Sequence, residues 1–304
     1  MCQDGCEDTA YGVGGLGRSN MKITLVGVGL ISGSFALGLK KALDKTIEVC
    51  GVDISEVALS KAQEIGMIDM AKSIKQATEW ADVVVLGIPV DALTRLVPEV
   101  LDYAREDSLI VDFGSTKEAI CEAVAKHPNR KSFLAAHPIA GTEYSGPEAA
   151  FAELFQQKRM IICEANKTGE EQQHLFLRLC EVLQMRVSYM TPAEHDLHLA
   201  FVSHLSHITS FALSNAVMLK EKSERHIFEM AGSGFASTVR LAKSSPNMWA
   251  PIFTQNRKHL LEGLSTYIEE LQHFQKLLET EDQQGMKDFM NRANRIREIV
   301  DRIG

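Results

Sequence analysis

Two glycines and one acidic residue, at a characteristic spacing, could together bind a dinucleotide. Gly27 and Gly29 end an apolar run that starts at Ile23, and Asp53 follows a second apolar run over residues 47–52. Gly27 permits a sharp turn, and Gly29 lets the backbone approach a pyrophosphate without a Cβ atom in the way. Asp53 lies 24 residues after Gly29, where a carboxylate can accept hydrogen bonds from the adenosine ribose. We call residues 27–29 the glycine loop.

A helix predicted directly after the glycine loop would complete this site. Leu30 and Ile31 open a segment of helical periodicity that extends to Leu43. The free N–H groups and the positive end of the helix dipole would point at the pyrophosphate. Because Asp53 would repel a 2′-phosphate and the next two residues supply no cation, the expected cofactor is NAD rather than NADP.

The glycine pattern is weak evidence without its context. Residues 12–17 also fit G-x-G-x-x-G, but no strand pattern precedes them and no helix pattern follows, so we reject that match. In the accepted site the third glycine position holds Ser32, and helix and strand must pack around its hydroxymethyl group. A glycine turn inside an ordinary α/β domain, without a cofactor, is the alternative interpretation.

Three further candidates follow predicted strands, at the edge where ligands bind in open α/β sheets. They are Pro89, Ser115 and His137. Ser115 starts a Ser-Thr-Lys-Glu pattern, so its first expected role is to cap a helix. His137 could take a proton from a hydroxyl group while a hydride leaves the same carbon, although a lone histidine at a strand end is more often structural.

The elements that would position these residues alternate between strands and helices. The near-continuous β-branched run at 82–88, which ends at Pro89, is typical of a parallel sheet covered on both faces. Other strand patterns lie at 23–28, 47–52, 108–113, 133–136, 160–163 and 187–190, and helical patterns lie at 31–43, 55–65, 90–103 and 170–184. This alternation predicts an α/β fold with a doubly wound, mostly parallel Rossmann-type sheet for the domain at 21–190.

The pattern changes after residue 190, where no convincing strand signal remains. Residues 194–219 are apolar nearly all the way round, which predicts a helix buried on most faces, at the centre of a bundle or at a subunit interface. Residues 256–303 predict two long amphipathic helices with a break near Gly285. We therefore expect an all-helical substrate and dimerisation domain over 191–304, and a homodimer.

Length, charge and cysteine content restrict the class further. A chain of 304 residues suffices for two domains, and a net charge of −8 argues against a nucleic-acid or anionic-membrane surface. Four of the six cysteines lie in apolar runs, which is typical of buried thiols in a reducing cytoplasm. No apolar run reaches the length of a membrane span, and no signal peptide is recognisable. Residues 1–20 are glycine-rich, and we expect them to be disordered or added by cloning, with Met21 as the natural start.

The run HPIAGTEYSG at 137–146 resembles a motif of the prephenate dehydrogenase family. GVGLISGS precedes it, and SHLSH and GSGFASTVRLAKSSPNMW follow it, in the order found in that family. The resemblance covers nearly everything from Met21 to the C-terminus. It implies oxidative decarboxylation of prephenate to 4-hydroxyphenylpyruvate with NAD, in tyrosine biosynthesis.

The resemblance also implies roles for single residues. His137 would accept a hydrogen bond from the ring hydroxyl of the substrate, Ser115 would contact the same hydroxyl, and His207 would be a further catalytic residue. Arg240 would bind a substrate carboxylate, which its planar guanidinium can grip through two parallel hydrogen bonds. Tyr144 stands where a lysine is common in the family. The other implied substrate-binding residues are Thr142, Glu143 and His204.

A metal site is the alternative interpretation of the two histidines in SHLSH. His204 and His207 share one helical face, as zinc ligands in H-x-x-H can. No neighbouring cysteine or carboxylate completes a tetrahedral set, although Glu194, His195 and His198 share the predicted helix. We therefore expect no metal, and we expect these histidines to orient the substrate or to lie in the core.

Three other functions remain open on sequence grounds. An arogenate dehydrogenase would act on an amino analogue of prephenate with the same residues. A β-hydroxyacid dehydrogenase would require a catalytic lysine in N-x-x-K, whereas Asn256-Arg257-Lys258 is one residue short of that spacing. A non-catalytic NAD sensor would bind the cofactor and turn nothing over.

Overall fold

The computed structural model describes residues 20–43, 46–224 and 226–300. The chain forms two compact units, which divide between Thr191 and Pro192. The rejected glycine match at 12–17 and the expected disorder of 1–20, apart from Asn20, lie outside the described residues.

An eight-stranded sheet forms the centre of the first unit. The strand order is β3-β2-β1-β4-β5-β6-β7-β8, and every neighbouring pair is parallel except β6 and β7. The order reverses direction between β1 and β4, so the predicted doubly wound, mostly parallel α/β fold is confirmed. The strands are β1 Met21–Val26, β2 Ile47–Val52, β3 Met70–Ala71, β4 Val83–Leu86, β5 Leu109–Asp112, β6 Phe133–Ile139, β7 Arg159–Cys163 and β8 Arg186–Met190.

Helices connect the strands of this sheet. Helix α2 begins after Ser55, whose hydroxyl accepts a hydrogen bond from the Ala58 N–H at 3.2 Å, and α4 begins after Pro89. Two short 3₁₀ turns flank the last strands, at Pro147–Ala149 and Ala165–Lys167. The helices are α1 Leu30–Leu43, α2 Glu56–Glu64, α3 Ile74–Trp80, α4 Val90–Tyr103, α5 Glu118–Val124 and α6 Glu170–Val182.

The core of the first unit lies on both faces of the sheet. All four residues of β4 are buried, as their β-branched run predicts for a central parallel strand. On one face, the rings of Phe35 in α1 and Phe113 after β5 meet edge to face at 5.2 Å, which fixes α1 against the carboxyl end of β5. The thiols that the sequence places in apolar runs are buried and form no disulfide: Cys50, Cys121, Cys163 and Cys180.

Two local expectations for the first unit are wrong. Helix α5 begins at Glu118 with Lys117 as its N-cap and no side-chain capping bond, so Ser115 does not cap it. Strand β6 continues beyond Ala136 to Ile139, because β7 pairs with it antiparallel and supplies a partner for residues that β5 does not reach.

The second unit is entirely helical over its described residues. One continuous helical stretch starts it, in which a π-helical segment, Ala200–His204, joins α7 to α8. Within the described chain, no helix is long and apolar enough to span a bilayer. The helices are α7 Pro192–Leu199, α8 Leu205–Glu221, α9 Ser233–Thr238, α10 Pro246–Gln255, α11 Arg257–Glu279, α12 Gln283–Asn294 and α13 Arg297–Val300.

Two expectations for the helical unit are corrected. Ser210 is the one buried residue of α8, so the part of the apolar stretch at 205–219 does not lie at the centre of a bundle within this chain, and the alternative of a subunit interface stays a prediction. The break between the two C-terminal helices lies at residues 280–282, and Gly285 lies inside α12. The Gly285 N–H donates to the Asp282 carboxylate at 2.9 Å, which caps the new helix.

Candidate active site

The glycine loop forms the tight turn that its sequence predicts. Gly27 has φ +87°, and its N–H donates to the Val52 carbonyl at 2.8 Å. A Cβ atom there would lie 2.6 Å from the Gly87 carbonyl oxygen, so only glycine fits. Among the described residues, apart from its two chain neighbours, no atom lies within 4 Å of the position that a Cβ on Gly29 would occupy. There is therefore no space for a side chain at Gly27, whereas the space beside Gly29 is open to a ligand.

Ser32 occupies the third glycine position of the pattern, and the structure provides space for its side chain. Its side chain is completely buried, and its hydroxyl donates a hydrogen bond to the Gly27 carbonyl. A Cβ on Gly87 would lie 3.0 Å from the Ser32 hydroxymethyl group. The glycine after β4 therefore provides the space that Ser32 occupies.

Asp53 is oriented by backbone donors on both sides. Its Oδ2 accepts a hydrogen bond from the Val28 N–H at 3.0 Å, and its Oδ1 accepts one from the Ser55 N–H at 2.9 Å. Each carboxylate oxygen retains a further lone pair. Asp53 thus fixes the glycine loop and can still accept hydrogen bonds from a ligand.

The sheet order places the remaining candidates along the same edge. β2, β1, β4, β5 and β6 are consecutive neighbours, so the end of β2, where Asp53 lies, is four strand spacings from β6, which carries His137. At about 4.8 Å per spacing this amounts to about 19 Å, which suits an extended dinucleotide. Pro89, at the start of α4, lies between these two positions.

Ser115 and His137 lie beyond the last residue pair of β5 and β6. That pair is Asp112 with Ala135, so Ser115 is three residues past the end of β5 and His137 is two residues further along β6. Both side chains are half-buried. The carboxyl edge of the sheet therefore brings a hydroxyl and an imidazole close to the same two strand ends.

A buried ion pair lies directly beneath these two residues, and sequence reasoning missed it. Lys117 and Asp112 are both completely buried and pair with each other, and the Lys117 ammonium also donates to the Ala136 carbonyl at 2.7 Å. Burial raises the pKa of the Asp112 carboxyl, and the Lys117 charge opposes that shift. A lysine next to a predicted helix start is expected to be solvent-exposed, so the sequence does not predict that Lys117 is buried or that it pairs with Asp112.

The loop after β6 presents the predicted residues Thr142 and Glu143. Thr142 is exposed, and its hydroxyl accepts a hydrogen bond from the Tyr144 N–H at 3.3 Å. Glu143 is half-buried, and Tyr144 is 70% exposed. The loop therefore carries a hydroxyl, a carboxylate and an exposed phenol beyond the end of β6.

In the helical unit, His204 and His207 lie against the ring of Trp249. His207 stacks on the indole at a centroid distance of 3.4 Å, and His204 meets it edge-on at 5.8 Å. Burial lowers the pKa of His204 to about 4. Burial also lowers the pKa of His207, and the positive charge of Arg240 acts in the same direction. Both imidazoles are therefore neutral at pH 7.

Arg240 opens a short 3₁₀ turn, Arg240–Lys243, and its side chain is exposed. The Ser210 hydroxyl accepts a hydrogen bond from the Ala242 N–H at 3.0 Å, which ties this turn to α8. The helical unit therefore brings together a guanidinium and two neutral imidazoles. Over the residues described, no group of three or more histidine, cysteine or carboxylate side chains is arranged to hold a metal ion.

Family comparisons cover both units. A family model described as the nucleotide-binding domain of prephenate dehydrogenase matches residues 35–189. A second, described as the dimerization domain of prephenate dehydrogenase, matches residues 191–292. The two matches meet where the chain divides into its units.

Curated relatives are similar over most of the chain. Identity to the prephenate dehydrogenase of Bacillus subtilis is 30% over 279 residues, covering 91% of this chain and 75% of the relative. Identity to the cyclohexadienyl dehydrogenase of Zymomonas mobilis is 30% over 262 residues, covering 86% and 89%.

Two solved structures are also similar to this chain over most of its length. The prephenate dehydrogenase of A. aeolicus, in complex with hydroxyphenyl propionate and NAD+, is 30% identical with a TM-score of 0.83, covering 93% of this chain and 99% of that one. The arogenate dehydrogenase of Synechocystis is 25% identical with a TM-score of 0.73, covering 92% and 100%.

Proposed function

The chain belongs to the prephenate dehydrogenase family, and on that premise we propose how its residues carry out the reaction. The protein is an NAD-dependent oxidoreductase that converts prephenate to 4-hydroxyphenylpyruvate in tyrosine biosynthesis. The observation that carries the proposal is the order of residues along the carboxyl edge of the sheet, from Asp53 through the glycine loop to His137.

The residues at that edge fit NAD. The open space at Gly29 admits a pyrophosphate, and the first turn of α1, which begins at Leu30 and Ile31, points its N–H groups toward it. The Asp53 carboxylate accepts from the adenosine ribose, and Pro89 lies on the path toward β6. When bound, NAD supplies the acceptor for a hydride.

His137 and Ser115 act on the ring hydroxyl of prephenate. The C–H bond at the carbon that bears this hydroxyl breaks and its hydride leaves, while the bond to the ring carboxylate breaks and releases CO₂. The electron pair of that second bond makes the ring aromatic. His137 holds the hydroxyl proton during the transfer and returns it to the phenolic oxygen, so the reaction releases no net proton. Ser115 positions the same oxygen by hydrogen bonding.

The helical unit supplies the groups that bind the anionic substrate. Arg240 is exposed and can grip one carboxylate with its planar guanidinium. His204 and His207 offer neutral imidazole nitrogens in the same unit, because burial lowers the pKa of both rings and the Arg240 charge lowers that of His207 further. Thr142 and Glu143 contact the substrate from the loop after β6.

We further propose that the protein is a cytoplasmic homodimer. A dimerization domain is present, and α8 and α11 carry exposed apolar side chains that a second copy would cover, among them Leu213, Met218, Leu219 and Leu271. The four buried thiols, which form no disulfide, suit a reducing compartment. Light scattering on the purified protein should give twice the mass of the 33.6 kDa chain, and a monomeric mass would contradict the dimer.

Arogenate is the second candidate substrate, because the similar Synechocystis structure is an arogenate dehydrogenase. The two acids differ only in the side chain, which carries a keto group or an amino group. Steady-state formation of NADH from each acid, with NAD⁺ and NADP⁺ in parallel, tests both proposals. We expect prephenate with NAD⁺ to give the highest kcat/KM. Absence of turnover with either acid would refute the proposed function.

A further inference from the structure

Asn256 connects two elements of the helical unit through its side chain rather than capping a helix. It lies between α10 and α11, where asparagine is a preferred N-cap, yet its side chain makes no capping bond to α11. The side chain is 1% exposed, and its Nδ2 lies 2.7 Å from the Asp196 carbonyl oxygen and 3.0 Å from His204 Nδ1. Instead of capping α11, the Asn256 side chain therefore contacts Asp196 and His204, which lie 60 and 52 positions earlier in the chain.

The chemistry of these neighbours fixes the orientation of the amide. The Asp196 carbonyl oxygen can only accept a hydrogen bond, so the amide nitrogen of Asn256, not its oxygen, must face it. The amide oxygen is buried and has no hydrogen-bond partner among the described residues. An unpaired buried acceptor is costly, so the two bonds that Nδ2 donates must compensate for it.

The orientation of Asn256 decides which nitrogen of His204 carries the proton. Because the amide nitrogen donates to Nδ1, Nδ1 must be the unprotonated acceptor, and the proton of the neutral imidazole must be on Nε2. Nε2 makes no hydrogen bond within the described chain, and His204 as a whole is 1% exposed. His204 therefore presents an N–H donor from an otherwise buried ring.

His207 carries the opposite tautomer. Its Nδ1 lies 3.0 Å from the Ser203 carbonyl oxygen, which can only accept, so Nδ1 bears the proton and Nε2 is an acceptor. Ser203 belongs to the π-helical segment, which also ends at His204. Two neighbouring histidines on one helix thus offer one donor and one acceptor.

We propose that Asn256 is a positioning residue that holds His204 in its Nε2–H tautomer, so that His204 donates a hydrogen bond to an anionic oxygen of the substrate. The assignment to substrate binding rests on the proposed function; the tautomer rests on the contacts of Asn256 alone. Of the two histidines, His204 then donates a hydrogen bond to a carboxylate or to the keto oxygen of the substrate. His207, an acceptor, serves a hydroxyl group or remains a packing partner of Trp249.

The tautomer can be measured without any activity. Long-range ¹H–¹⁵N spectra of the full-length protein, labelled at histidine with ¹⁵N, distinguish protonated from unprotonated ring nitrogens. The signals of His204 are those absent from His204→Gln. We expect a protonated Nε2 and an unprotonated Nδ1 for His204, and the reverse for His207. A proton on Nδ1 of His204, or an averaged pair, would overturn the proposal.

Asn256→Leu removes both donated bonds at nearly constant volume. We expect His204 to lose its single tautomer and kcat/KM for prephenate to fall roughly 10- to 100-fold, mainly through KM, which is the size of one hydrogen bond to a charged group. The affinity for NAD should not change. Asn247→Leu makes the same change at an exposed position of α10 and should alter neither the spectrum nor the kinetics.

The outcomes separate the inference from the proposed function. If the wild type turns over prephenate and Asn256→Leu keeps its kcat/KM, His204 does not donate to the substrate and the inference is wrong. If the wild type turns over neither acid, the proposed function fails, and the spectrum still decides the tautomer. Should Asn256→Leu not fold, Asn256→Ser, which retains a smaller donor, is expected to give an intermediate loss, and an unchanged kcat/KM there would equally refute the proposal.

Discussion

The Lys117 ammonium group donates a hydrogen bond of 2.7 Å to the carbonyl oxygen of Ala136, the residue directly before His137. The same ammonium pairs with Asp112, the last residue of β5, and both charged side chains are completely buried. The Lys117 ammonium therefore connects the carboxyl ends of β5 and β6, in addition to the backbone hydrogen bonds between the two strands. This arrangement holds the strand segment that carries His137.

Removing the Lys117 charge should destabilise the first unit strongly. Lys117→Met leaves the Asp112 carboxylate buried without its counter-charge and with the Gly114 N–H as a remaining donor, which should cost about 3–5 kcal/mol in the free energy of unfolding. Urea denaturation measures this value. Lys41→Met removes an exposed pair with Glu153 and should change stability by no more than about 1 kcal/mol. Equal losses in the two variants would contradict the structural importance of the buried pair.

The stability of the protein should fall between pH 6.5 and pH 4 because of His204. Its folded-state pKa of about 4 lies below the ordinary value of 6.5, so in this range the unfolded chain binds a proton that the folded chain does not. The contribution to the free energy of unfolding is fully present above pH 6.5 and is lost as the pH falls, by about 3 kcal/mol in total. Urea titrations at pH 7.5 and pH 5 should show a smaller difference for His204→Gln than for the wild type. His174→Gln, at an exposed position, should retain the wild-type difference.

Replacing His137 should slow the chemical step without weakening cofactor binding. His137→Asn removes the proton acceptor but keeps a polar side chain of similar reach, so kcat should fall by about 10² to 10⁴. Steady-state assays give kcat, and fluorescence titration gives the Kd for NAD, which should not change. Turnover close to the wild-type rate would remove His137 from the mechanism.

Asp53→Asn should relax the preference for NAD over NADP. The amide oxygen can still accept a hydrogen bond from the Val28 N–H, so the glycine loop keeps its support, while the charge that repels a 2′-phosphate is lost. The ratio of kcat/KM values for NAD⁺ and NADP⁺ should shift toward NADP⁺. Glu56→Gln, three residues further on and exposed, serves as the control and should leave the ratio unchanged.

Arg240→Lys should mainly raise KM for prephenate. A compact ammonium cannot form the two parallel hydrogen bonds of a guanidinium, so ground-state and transition-state binding weaken together and kcat changes little. Lys243→Arg, in the same turn, changes the residue type in the opposite sense and should not affect KM. An unchanged KM in Arg240→Lys would show that Arg240 does not contact the substrate.

The nucleotide-binding half of the fold could be predicted from local sequence. The positive φ of Gly27, the open position at Gly29 and the carboxylate at Asp53 follow from residue types at fixed distances from strand ends. The bounds of the strands and helices that were predicted agree to within a few residues, because apolar runs and helical periodicity are local signals, whereas the short elements β3 and α3 were not predicted. The capping role of Ser115 was wrong, because a capping pattern does not specify which residue starts the helix.

The order of elements and the residues at strand ends therefore follow from local sequence patterns. Three features are visible only in the folded chain: the Asp112–Lys117 pair that supports His137, the space at Gly87 that Ser32 fills, and the hydrogen bond between Asn256 and His204. A hydrogen bond between residues 52 positions apart forms only when helices pack against each other, so no local pattern predicts it. The sequence also does not show whether a given asparagine or lysine is buried or exposed. Burial sets the charge of His204, and the Asn256 amide sets which of its ring nitrogens carries the proton; neither is encoded in a local pattern.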